Sequence, residues 1–199
     1  PHNLREGAAA LDLLIENPYV SIKELMKKIP APDFPTGGII IGKDGLKSAY
    51  TTGRGSFKIR AVANIEESTR GREAIIVTEI PYEVRKNDLL ARIANLVNDK
   101  KIEGISEIRD ESDRKGMRIV FELRKEAQAN IVLNQLYQHT ALQISYGIIF
   151  LALVNGEPKL LNLKQMLQHF LTHRREVIER RTRYDLRKAE ERAHILEGL

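Results

Sequence analysis

From Asn162 to Glu197 the chain contains neither glycine nor proline, and this run constrains the fold most. Leu163, Met166, Leu167, Phe170, Leu171, Val177 and Ile178 recur at steps of three and four, and Thr182, Leu186, Ala189, Ala193 and Leu196 continue a narrower stripe. Such a seam predicts one unbroken helix of the coiled-coil kind. At about 1.5 Å per residue it would exceed roughly 50 Å. Asn155-Gly156-Glu157-Pro158 reads as the hinge before it.

The other constraint is Pro30 to Arg60. Six glycines and three prolines punctuate this stretch, so turns with unusual dihedrals are expected there. Lys43, Lys47, Arg54, Lys58 and Arg60 lie among them, against only Asp33 and Asp44. Backbone N–H groups presented by glycine turns beside cations suit a polyanion such as a nucleic-acid phosphate backbone. Gly37 to Lys43 also matches Gly-x-x-x-x-Gly-Lys, the start of a phosphate-binding P-loop. Asp44 then stands where a Mg²⁺-holding Ser or Thr belongs, and three isoleucines fill the loop, a composition suited to a strand. A nucleotide site is therefore rejected.

The remaining pattern alternates helices and strands. Residues 4–16 read as a helix, and Ser21-Ile-Lys-Glu24 is a capping box opening a short second helix that Pro30 stops. Phe57 to Ile65 alternates as one half-buried strand, and Ala74 to Ile80 returns beside it. A helix from Asn87, strands at 105–109 and 117–123, a helix at 127–137 and a strand from Leu142 to Val154 follow. From residue 74 the order is strand, helix, strand, strand, helix, strand. The expected fold class is α+β: a two-layer sandwich of the split β-α-β kind followed by a long coiled-coil helix. Three segments are expected: 1–28 helical, 29–158 the α+β domain, and 159–199 the helix.

The net charge of +5 and pI near 9.4 favour an acidic partner only modestly. Zero cysteines excludes disulfides and thiolate chemistry and fits a cytoplasmic protein. No apolar run approaches the roughly 20 residues of a membrane span. Pro1 in place of an initiator Met, and an end in mid-pattern at Leu199, suggest a piece of a longer chain.

Thr52-Gly-Arg-Gly55 can be an ordinary turn or a phosphate contact. His173-Arg174-Arg175 and Arg180-Arg181-Thr182-Arg183 resemble a nucleic-acid patch, but Glu176, Glu179, Asp185, Glu190 and Glu191 interleave, as on a solvated face with i,i+4 pairs. His169 and His173 are four apart without the Glu of a zinc-protease motif. Arg183-Tyr184 has the form of a nucleophilic tyrosine pair, yet its place in the seam favours an interface aromatic.

Several motifs together resemble the A subunits of bacterial type IIA topoisomerases, the DNA gyrase A family, with topoisomerase IV as the close alternative. They are Pro1-His2-Asn3-Leu4, Ile29-Pro-Ala-Pro-Asp-Phe-Pro-Thr-Gly-Gly38, Thr52-Gly-Arg-Gly55, Arg109-Asp-Glu-Ser-Asp113, Gly116-Met-Arg-Ile-Val120, Leu153-Val-Asn-Gly-Glu-Pro-Lys159, and the segment from His173 to Leu199. They span the chain in family order. Tyr146-Gly-Ile-Ile-Phe-Leu151 departs from the family's Phe-Gly-Ile-Asn-Met-Leu.

The resemblance implies a tower domain and the start of a coiled-coil arm. It implies part of an ATP-dependent isomerase that passes one duplex through a break in another, as in DNA supercoiling. Its partners would be double-stranded DNA, a second copy of the same subunit in a homodimer, and B subunits in an A2B2 assembly. Mg²⁺ and ATP would be handled by the B subunit, with no cofactor in this chain. The family's cleaving tyrosine lies upstream of the Pro-His-Asn-Leu segment, so the chain alone is expected to be inactive. DNA contact is assigned to Lys43 and Arg54 as cations, Thr52 and Gly53 as loop donors, and Lys58 and Arg60 on one strand face. His2 and Asn3 are placed near the cleavage core by the resemblance. The alternative is a structural and dimerisation module with negligible DNA affinity.

Overall fold

The computed structural model describes all of residues 1–199. In chain order the elements are α1 (Leu4–Glu16), α2 (Ile22–Met26), β1 (Ile39–Ile41), α3 (Asp44–Thr52), β2 (Arg54–Arg60), β3 (Val62–Glu67), β4 (Glu73–Glu79), α4 (Lys86–Asn98), β5 (Ile105–Asp110), β6 (Ile119–Leu123), α5 (Ala129–His139), β7 (Gln143–Ile149), β8 (Leu151–Val154), β9 (Glu157–Leu160) and α6 (Leu163–Glu197). They form two compact units. One contains Pro1–His2, Ala31–Ser48 and Gly55–Ile148; the other contains Asn3–Pro30, Ala49–Arg54 and Ile149–Leu199. No helix is long and apolar enough to cross a membrane.

The first unit is the α+β sandwich. Its four-stranded antiparallel sheet has the order β3-β4-β6-β5. Strand alternation sends Ile75 and Val77 of β4 and Ile119, Phe121 and Leu123 of β6 to one face. There they pack against Leu89, Ile93 and Leu96 of α4 and Val132 and Leu136 of α5, whose three- and four-residue spacing makes one apolar stripe per helix. The split β-α-β order predicts that the strand after α5 completes this sheet, and it does not. β3 takes the edge beside β4, and β7 joins β1 and β2 in a second sheet of order β1-β2-β7.

The strand expected from Phe57 to Ile65 is two strands for the same reason. At Ala61 the backbone N–H donates to Leu142 O at 2.7 Å, and the chain changes sheet. Period-two alternation runs through both halves and carries no mark of which neighbour each half pairs with.

An aromatic cluster pins the Pro-rich segment to this unit. Phe34 lies 5.1 Å from Tyr82, 5.2 Å from Tyr146 and 6.4 Å from Phe57, ring centre to ring centre. The Gly37-Gly38 turn follows, with both residues at positive φ, and Gly38 N–H donates to Glu79 Oε2 at 2.8 Å. A side chain at Gly37 would meet that carboxylate.

The sheet's other face carries an ion-pair network. Arg109 reaches Glu107, Glu111 and Glu122 at 3.1, 3.3 and 2.8 Å. Arg118 reaches Glu111 and Glu66 at 3.1 and 3.2 Å. Hydrogen bonds from Arg109 hold the Glu122 carboxyl below its ordinary range, and those from Arg118 do the same for Glu111.

In the second unit, Asn3 caps α1 by accepting from Arg5 N and Glu6 N at 3.0 and 3.2 Å. Ala10 and Leu14 of α1 pack with Val20, Leu25, Ile29, Tyr50 and Leu163. Tyr50 stacks on Phe150 at 5.8 Å. Asn162 and Gln165 form a capping box that starts α6. Leu163, Leu167 and Leu171 belong to this core; from Thr172 onward nearly every residue is exposed. The segment read as a hinge is a hairpin: Asn155 and Gly156 have φ of 52° and 80°, the turn that joins β8 to β9.

Lys86 Nζ lies 2.8 Å from Asp110 Oδ2, and Ser112 N donates to Asp110 Oδ1 at 3.0 Å. The Lys86 hydrogen bond, then those from Ser112, pull the Asp110 carboxyl down to about 2. A carboxylate depressed on folding stabilises above its ordinary pKa of about 3.9 and loses that contribution as pH falls through the folded value. Lys86→Met should therefore move the Asp110 titration, followed by carboxylate NMR, up towards about 3.9, and flatten the loss of thermal stability between about pH 4 and pH 2.

Candidate nucleic-acid interface

In the first unit the β1–β2 ladder sets the geometry. The register pairs Ile39 with Arg60, Ile40 with Ile59 and Ile41 with Lys58. The three isoleucines are thus strand, and no loop remains to cradle a nucleotide phosphate. Gly42, at φ 88°, turns the chain out of β1 into Lys43 and then α3. Lys43 and Lys58 therefore leave the same end of the ladder. Lys47 N–H donates to Lys43 O at 2.9 Å, so Lys47 stands one helical turn above Lys43. All three lysines are exposed, and the ion pairs of this structure engage none of them.

Lys47 is not among the residues assigned to DNA from sequence. Its spacing of four from Lys43 has meaning only on a helix. Leu46, Ala49 and Tyr50, all buried, carry the i, i+3, i+4 apolar spacing that marks α3 in the sequence, though Gly45 at its start argues against a helix. Gly45 is needed there for space, since a side chain at this position would overlap the Ser56 carbonyl.

Several assigned residues have other work in the structure. Arg60 is half-buried: its Nε donates to Gln143 Oε1 at 2.9 Å, and its guanidinium sits 4.4 Å from the centre of the Tyr137 ring. It braces β2 against β7 and α5, whereas Lys58, two residues earlier, points to solvent. In the second unit, Gly53 is buried at φ 86°, and its N–H donates to Ala49 O at 2.8 Å, closing α3. That N–H is thus spent on the helix end rather than offered to a phosphate. Thr52 Oγ1 donates to Arg54 O at 3.0 Å and accepts from Arg54 N at 3.3 Å, fixing the turn that starts β2. Arg54 itself is exposed. Asn3 commits its side-chain oxygen to the α1 cap, and His2 lies in the first unit, where Asp33 N donates to the neighbouring Pro1 O at 2.9 Å.

What remains is three unpaired ammonium groups on a rigid strand end and helix turn, chemistry fitted to a phosphate backbone rather than to a base edge. Comparison with known proteins supplies the family. The model describing the A subunits of DNA gyrase and topoisomerase IV matches residues 1–199. The chain belongs to that family. It is 57% identical over 199 residues to the DNA gyrase A subunit of Clostridium acetobutylicum, covering 100% of this chain and 24% of that protein. The corresponding figures are 58% and 24% for the DNA gyrase A subunit of Halalkalibacterium halodurans. For that of Staphylococcus aureus (strain MRSA252) they are 54% over 200 residues and 23%. The chain thus spans about a quarter of the length of the curated relatives it matches.

Within this gyrase-type chain, Gly45 is what lets α3 lie against β2 and hold Lys47 in place. Gly45→Ala should destabilise the fold by about 1–3 kcal/mol in chemical denaturation, the usual range for overpacking. Gly7, with open space around it, serves as the control: Gly7→Ala should be neutral or stabilising by a few tenths of a kcal/mol.

Proposed function

We propose that this chain forms part of the DNA-handling surface of a type IIA topoisomerase, the isomerase that passes one duplex through another. The observation that carries the reading is the unpaired Lys43, Lys47 and Lys58 group in a chain of this family. Phosphate contacts by lysine are sequence-independent and position a duplex without reading it. Arg54, exposed at the start of β2, is assigned the same role. Strand cleavage, ATP turnover with Mg²⁺, and supercoiling belong to parts of the enzyme outside this chain, with ATP on the partner B subunit of an A2B2 assembly. The setting is the bacterial cytoplasm.

A second reading is favoured by α6. Ile178, Leu186 and Leu196 are 43%, 56% and 60% exposed, an apolar edge that suits pairing with another helix. The chain then serves also as the root of a coiled-coil arm in a homodimer.

The test is duplex binding as a function of salt. Each phosphate neutralised contributes about 0.9 to the slope of log affinity against log salt. Lys43→Ala/Lys47→Ala/Lys58→Ala should make the slope shallower by about 2–3 with little change between sequences. A slope equal to that of the unaltered chain removes these lysines from the interface and leaves the structural reading.

A further inference from the structure

The basic clusters of α6 stood open between a nucleic-acid patch and an acid-paired face, and the structure separates them. Arg180 Nη2 lies 3.9 Å from Glu176 Oε2, and Arg183 Nη2 lies 3.8 Å from Glu179 Oε2. Each of these two arginines thus has a carboxylate one turn away, in an exposed pair. Arg174, Arg181 and Arg192 are exposed, and no carboxylate comes within ion-pair distance of them.

Three of these cations share a face, while Arg175 and Arg187, also outside the ion pairs, lie elsewhere around the helix. Residues seven apart are two turns apart and drift only about 20° per step. Arg174, Arg181 and Lys188 therefore stack in a row, and Arg192 extends it by one turn. From residue 174 to 192 the row covers about 27 Å at about 1.5 Å per residue. Asp185 lies within this face. At about 100° per residue, Glu176, Glu179, Glu190 and Glu197 fall around the other side, while Glu191 flanks the row next to Lys188. Lys188 is the weakest member, since its Nζ pairs with Glu191 at 3.1 Å. Tyr184 borders the row, with Arg187 and Lys188 at 5.4 and 5.9 Å from its ring centre.

We propose that this face of α6 is a second phosphate-contacting surface, which meets the backbone of a nucleic-acid duplex independently of the lysines in the first unit. The proposal rests on the reading that the chain handles duplex DNA. A helix paired on the apolar edge, whose Ile178 and Leu196 lie only about 40° from Arg174 and Arg192, would border the row. One observation favours a duplex over such an acidic partner. The unpaired members are mostly arginines, whose planar fork grips phosphate in a bidentate way. A duplex presents one charge per about 1.7 Å of its axis, so a 27 Å row finds phosphates in any register.

The experiment compares two double variants that remove the same charge from the same helix, Arg174→Gln/Arg181→Gln and Arg180→Gln/Arg183→Gln. Binding of the chain to a duplex of about 30 base pairs is measured from roughly 50 to 200 mM salt. The first variant should lower the salt slope by about 2, so that its affinity falls about tenfold less over that range, while the second leaves the slope within about half a unit of the unaltered chain. Arg174→Lys/Arg181→Lys, which keeps the charge, should retain the slope; its loss would trace the effect to helix disruption and overturn the proposal. Equal slopes for the two Gln variants also overturn it, and a change in sedimentation without a change in slope would assign the row to a protein partner. If Lys43→Ala/Lys47→Ala/Lys58→Ala lowers the slope and Arg174→Gln/Arg181→Gln does not, only the α6 surface falls. If the unaltered chain fails to bind duplex at the lowest salt, both readings fall.

Discussion

The structure turns on one backbone hydrogen bond, from Ala61 N–H to Leu142 O. On one side of it β2 pairs with β1 and orders the Gly42–Lys43 turn; on the other β3 closes the edge of the four-stranded sheet. Ala61 is fully buried, so the crossover point must be small. Because β7 is drawn to β2 rather than to β4, α5 ends against the sheet while its following strand braces the basic segment. The Arg60 contacts to Gln143 and Tyr137 belong to the same arrangement.

Charge in this chain is sorted by pairing rather than by amount. A net charge of +5 says little about a nucleic-acid surface. The ion pairs consume Arg109, Arg118 and Lys86 in the sandwich and Arg180 and Arg183 on α6. Exposed pairs of this kind add little stability each, about 0–1 kcal/mol. They engage seven of the 32 lysines and arginines, and Lys43, Lys47 and Lys58 in one unit and Arg174 and Arg181 in the other are clusters among the exposed cations outside the pairs.

The departures from the family pattern within Tyr146-Gly-Ile-Ile-Phe-Leu151 have a place in packing. Tyr146 completes the cluster around Phe34, and Phe150 stacks on the buried Tyr50. Aromatic pairs at such distances contribute about 0.5–1.5 kcal/mol beyond the area they bury. They secure the segments before and after the basic turn, so a stretch rich in glycine and proline is held firmly where it would otherwise be free.

Family membership, the α+β class, α1, the capped α2 and the single long helix α6 were all legible in the sequence, because motif content, caps and three-four periodicity are local properties of the chain. The candidate site was legible only in part. Lys43 and Lys58 stand exposed on the turn-rich segment, but α3, marked by Leu46, Ala49 and Tyr50, was obscured by Gly45, a residue that weakens a helix by propensity and is required by the approach of the Ser56 carbonyl. Arg60 and Lys58 look alike in sequence, two cations on one strand face, and only the neighbours supplied by α5 and β7 tell them apart. The Asn155-Gly156 turn carried a hairpin signal that Pro158 masked; Pro158 is tolerated because β9 pairs with β8 alone. The sequence by itself determined α1, α2, the long α6, the α+β class and which family the chain joins, since those depend on side chains near in the chain. Tertiary structure decided which strand pairs with which and which strand cations of the sandwich are engaged, since there the partners can lie more than 50 residues away, as with Arg60 and Gln143 and with Arg118 and Glu66.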